Sequence, residues 1–188
     1  HYFKGSPGLT EEKARARGLL SRAKGKAGFD LGKHASDDLY TLWQNSQIRE
    51  DQALAIVRAA PGNARAQEIG AKYALANKPA EFISNIVKIS QLDSGSGESN
   101  IDLFGHDDAA LKDAEAQASR AMSLQREIRY QIAAVSGASK RPEIVRKLGV
   151  DVKDSKAVQA KLVELKAEAA RWDNWPQHED LVARVRGE

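Results

Sequence analysis

Apolar residues along this chain recur at steps of three and four, and they rarely alternate with polar ones. That spacing marks one face of a helix, whereas alternation marks a strand, so the pattern predicts an all-α fold. A first helix is expected from Thr10 to about Lys24, with Glu11 and Glu12 in its first turn and Gly25 and Gly28 ending it. Ser36 is placed to cap a short helix that buries Leu39, Leu42 and Trp43. A third helix runs from about Arg49 to Ala59 and stops at Pro61–Gly62. Asn63 then caps a helix with Ala66, Ile69 and Tyr73 on one stripe. Pro79 opens another, whose broad apolar face is Phe82, Ile83, Ile86, Val87 and Ile89.

Residues 93–100 read Asp-Ser-Gly-Ser-Gly-Glu-Ser-Asn, the composition of a flexible linker. They divide the chain into a cluster of short helices with helix-turn-helix-like texture (1–92) and a second domain (101–188). After an apolar plug at Leu103-Phe104-Gly105, a long helix is expected from Asp107 to Val135. Its Leu111, Ala114, Ala118, Ala121, Ile128, Ile132 and Val135 form a heptad-like seam. The alanines at one end imply close approach of another helix. Pro142 starts a short helix that Gly149 ends, and Asp154 or Ser155 caps a further one to Trp172 with Val158, Leu162, Leu165, Ala169 and Trp172 aligned. Two seams joined by a compact connector predict a long antiparallel helical hairpin, with a last short helix from Glu179 to Val185 packed on it.

Composition narrows the chemistry. The 188 residues contain no cysteine, which removes disulfides, thiolate metal sites and cysteine nucleophiles together. No apolar run approaches the roughly 20 residues that span a bilayer, so no membrane association is expected. The chain begins at His1 and its single methionine is Met122, which reads as an excised or processed piece of a longer protein. Net charge is +3, but residues 1–30 hold seven Lys/Arg against three Asp/Glu, a local balance of +4. The next seventy residues sum to −1 and the last eighty-eight to zero. A clustered basic stretch of this kind can neutralise phosphates.

Catalytic and metal centres find little support. His1, His34, His106 and His178 are scattered, and none has a histidine one turn away. His106-Asp107-Asp108 and His178-Glu179-Asp180 read as helix starts, where acids complement the dipole. There is no nucleophile elbow, phosphate-binding glycine loop or dinucleotide fingerprint. No cofactor, metal or catalytic residue is assigned. Trp43 and Trp172 align with apolar stripes and read as core, while Trp175, between Asn174 and Pro176, reads as the freest of the three tryptophans.

Ser36-Asp-Asp-Leu-Tyr, Ile48 through Val57 and Gln67 resemble the helical region that follows the ParB-like domain in large phage and prophage polyvalent proteins. The second half is similar to the segment after it, through Asp102-Leu-Phe-Gly105, Lys140-Arg-Pro-Glu143, Lys147 to Asp151 and Arg171 to Trp175. The likeness covers residues 36–186. It implies a DNA-associated or scaffold module of a long mobile-element protein, acting in the cytoplasm of a bacterial host or delivered with the virion. The nuclease-like or nucleotide-binding portion of such proteins has no counterpart in these residues, and residues 1–30 do not match their usual helix-turn-helix.

Together these readings predict a non-catalytic helical module that contacts the DNA phosphate backbone through Arg15, Arg17, Arg22, Lys24, Lys26, Arg49, Arg58 and Arg65. The alternatives are a protein-interaction or spacer module, in which the hairpin at 107–172 receives a partner or a second copy, and an effector acting on a host target.

Overall fold

The computed structural model describes residues 25–92 and 108–188. The expected first helix at 10–24, the linker at 93–100 and the plug at 103–105 lie outside them. Among the described residues there are nine α-helices and no strand, so the chain is all-α. They are α1 (Gly25–His34), α2 (Asp37–Gln44), α3 (Glu50–Ala59), α4 (Ala64–Leu75), α5 (Ala80–Leu92), α6 (Asp108–Ser136), α7 (Pro142–Lys147), α8 (Ser155–Asp173) and α9 (Glu179–Arg186), with a turn of 3-10 helix at Trp175–Gln177. The chain separates into two compact units, one up to Ala118 and one from Ser119 onward, so the division falls within α6.

Most helix ends are written locally. The Ser36 hydroxyl accepts the Leu39 N–H at 3.2 Å, and the Asn63 side chain accepts the Ala66 N–H at 3.1 Å. Asp154 Oδ1 takes the N–H groups of Lys156 and Ala157 at 3.0 and 3.1 Å. Each satisfies first-turn donors that have no partner inside the helix. Gly149 closes the connector after α7 at φ +75°, a conformation that glycine adopts without a Cβ clash.

One helix departs from the expectation. Gly25 and Gly28 do not end a helix; they belong to α1, which continues to His34. Each glycine costs a helix about 1 kcal/mol relative to alanine. Burying Leu31 at 1% exposure, with Ala35 beyond the helix end, offsets such a cost, because one buried leucine side chain is worth about 1.5–3 kcal/mol.

In the first unit α3 and α4 both pack on α5, and the shared core is Ile56, Val57, Ile69, Ile83, Ile86 and Val87. Gly70 sets how closely the three approach. A Cβ there would stand 2.6 Å from Ile56 Cγ1 and 2.9 Å from Val87 Cγ2. Tyr73 is buried edge-on to Phe82, and its hydroxyl donates to Glu115 at 2.9 Å. Burial, and then the Glu115 carboxylate, push this phenol well above its ordinary pKa.

In the second unit Val135, Val145 and Leu165 make a core flanked by Ile132, Leu148, Val158 and Leu162. Gln125 Nε2 donates to the Trp172 carbonyl at 3.3 Å. Trp175 is fully buried, contrary to the sequence reading that made it the freest tryptophan. The 3-10 turn folds its indole inward, where so large a ring gains most from burial.

Candidate nucleic-acid interface

Of the eight cations expected to meet phosphate, Arg15, Arg17, Arg22 and Lys24 lie outside the described residues. Lys26 lies in α1. The other three sit on the helix pair α3–α4. Arg49 caps α3 and Arg58 lies in its last turn, nine residues on, or about 14 Å along a helix axis. Arg65 is the second residue of α4. The structure therefore brings Arg58 and Arg65 to one turn and leaves Arg49 at the opposite end of α3.

Arg49 is already engaged. Its Nε lies 3.0 Å from Asp51 Oδ1 and its Nη2 3.3 Å from Oδ2, a two-pronged ion pair. Nη1 donates to the Asn77 side chain just beyond α4, where Asn77 holds φ +55°. The guanidinium beside Asp51 holds that carboxyl below its usual range. Beneath it, Gln52 is buried and accepts the Arg49 N–H at 3.0 Å while donating to the Lys78 carbonyl at 3.0 Å. Arg49 ties the start of α3 to the loop before α5, and at the surface its charge faces that of Asp51.

Arg58 and Arg65 are exposed, and neither forms an ion pair or hydrogen bond with a described residue. Between them runs the four-residue turn 60–63, with Gly62 at φ +70°. A single buried side chain anchors it from below. Gln67, with 0% exposure, accepts the Ser36 N–H at 2.7 Å and donates to the carbonyls of His34 at 2.7 Å and Ala60 at 2.8 Å. The Gly62 N–H also reaches the His34 carbonyl at 3.0 Å. Gln67 thus joins the end of α1, the start of α2 and the end of α3. On the same outward side of α4, Lys72 follows Arg65 by about two turns, with Glu68 between them.

Elsewhere the polar groups mostly satisfy one another. A groove of about 450 Å³ runs along α6 and α8 beside Arg184 of α9. Its Glu164 is paired with Lys161 at 2.9 Å, and its Glu168 with Arg171 at 3.1 Å and Arg184 at 3.3 Å. Arg171 also forks onto both oxygens of Asp180, at 2.6 and 2.7 Å, which holds the Asp180 carboxyl below its usual range. The charges lining this groove are answered from within the chain. Trp172 is buried under the Arg184 guanidinium, 5.4 Å from its ring centroid, and its indole N–H has no partner. Among the described residues no three His, Asp or Glu side chains converge to hold a metal ion. None of the described helices is long and apolar enough to cross a membrane.

The heptad-like seam of α6 is mostly buried, with Leu111 and Ile132 partly exposed. Ala114, Ala118, Ala121, Ile128 and Val135 are all buried. Sequence reasoning found the seam but not the buried glutamines, because a glutamine on a helix reads as solvated unless its partners in space are known. No family model matches this chain, and neither the curated proteins nor the solved structures contain a significant match to it.

Proposed function

We propose that this chain is a non-catalytic helical module of a longer phage or mobile-element protein, and that it associates weakly with nucleic-acid phosphates through its basic N-terminal stretch. The observation that carries the reading is the charge of residues 1–30, seven Lys/Arg against three Asp/Glu, in a chain whose remainder sums to −1. Segregated charge of one sign raises the local concentration of a polyanion and needs no shaped pocket. Contact with phosphate rather than base is the fitting mode, because no compact set of base-reading side chains accompanies the charge. Arg49 is set aside, since it is already paired with Asp51.

The test is fluorescence anisotropy of a labelled DNA duplex titrated at several salt concentrations. Affinity should fall linearly on a log–log plot against salt, with a slope of about −0.9 per phosphate neutralised. Converting Arg15, Arg17, Arg22, Lys24 and Lys26 to glutamine should flatten that slope by up to about 4.5. No binding at 50 mM salt, or binding indifferent to salt, would overturn the reading.

A further inference from the structure

The geometry points to the α3–α4 turn as a phosphate-contact point, with Arg58 and Arg65 gripping the phosphodiester backbone of a nucleic-acid duplex. This rests on the reading above and deepens it by naming a contact within the folded core. Three observations converge. Arg58 and Arg65 are exposed and have no ion-pair partner among the described residues, in contrast to Arg49, which is paired with Asp51. Each stands within one helical turn of residues 60–63, one before it and one after. The turn itself is held from beneath by Gln67 and by the Gly62 N–H bond to His34.

The cations are accessible to a polyanion. Arg58, Arg65 and Lys72 are all exposed, with Glu68 between the last two and Asp37 and Asp38 following Ser36 nearby. A duplex carries one phosphate charge per roughly 1.7 Å of its axis, so both arginines find partners without reading sequence. Guanidinium groups suit the task, since each donates two parallel N–H bonds to one phosphate. A rigid turn spares the entropy of ordering a loop on binding.

The test compares wild-type chain with Arg58→Gln/Arg65→Gln and with Lys156→Gln/Lys166→Gln, which removes two exposed charges from α8. All three are titrated against DNA and RNA duplexes of equal length over a salt series. Both arginines are exposed, so circular dichroism and the urea midpoint should match wild type. The proposal expects the arginine pair to flatten the log–log slope by about two and the lysine pair to leave it unchanged. The duplex that shows the change identifies the polymer. Wild-type binding with an unaltered slope in the arginine variant overturns this contact and spares the N-terminal reading. Equal flattening by both pairs also overturns it, because the effect would then be total charge. Absence of binding by wild type overturns both.

Discussion

Replacing Gln67 with leucine removes one side chain that answers three backbone groups, and the cost can be worked group by group. The Ser36 N–H loses its partner outright, a penalty of about 1–3 kcal/mol for a buried donor. The other two losses are milder. The His34 carbonyl keeps the Gly62 N–H at 3.0 Å and the Ala60 carbonyl keeps the Asn63 N–H at 3.3 Å, so each forfeits a second bond worth about 0.5–1.5 kcal/mol. Leucine returns about 1 kcal/mol of apolar burial. The net expectation is a loss of about 3 kcal/mol, measured by urea unfolding followed by circular dichroism. Gln67→Glu keeps the shape but turns an acceptor toward two carbonyls, so it should be less stable than the leucine variant at pH 7. Its buried carboxyl should titrate above the unfolded value of about 4.3. A raised carboxyl pKa favours the protonated native state, so stability relative to wild type should be best below about pH 4 and fall as pH rises. A leucine variant within 1 kcal/mol of wild type would refute the reasoning, as would a glutamate variant whose deficit ignores pH.

Two further outcomes follow from the packing and the ion pairs. Gly70→Ala should destabilise the chain by up to about 2 kcal/mol in the same urea assay, since an overpacking cost of about 1–3 kcal/mol works against the helix-propensity gain of about 1; the new methyl meets Ile56 and Val87, which are fully buried. The Asp180 carboxyl should titrate by NMR below its ordinary 3.8, because the Arg171 fork stabilises its charged form. A depressed carboxylate pKa adds stability above the unfolded value and loses it as pH falls through the folded one, so Asp180→Asn should differ most from wild type near neutrality and converge with it in acid.

Much of the fold was legible because helix ends are local events. Ser36, Asn63, Asp154 and Gly149 each announce a boundary through chemistry confined to three or four residues, and the structure keeps all four in those roles. The α6 seam was legible for a related reason: period alone places Ala118, Ala121 and Val135 on one buried line. What escaped depends on distant partners. Glycines at 25 and 28 argue against a helix until Leu31 is known to be buried. Trp175 beside a proline suggests an open turn until the 3-10 geometry is seen to fold it inward. At the candidate interface, Arg49 and Arg58 look equivalent in a count of charges, yet Asp51 and Asn77 engage the first and the second has no partner among the described residues.

The placement of the tryptophans makes the two units separately visible to light. Trp172 and Trp175 are buried in the second unit, whereas Trp43 of the first is half-exposed beside Tyr40, 5.6 Å from its ring centroid. Indole emission moves to the red when water reaches the ring, so the fluorescence shift on denaturation belongs chiefly to residues 119–188. Far-UV circular dichroism, by contrast, sums over every helix. Overlaying the two transitions therefore asks whether the halves of this chain melt as one, and it does so with no label and no substitution.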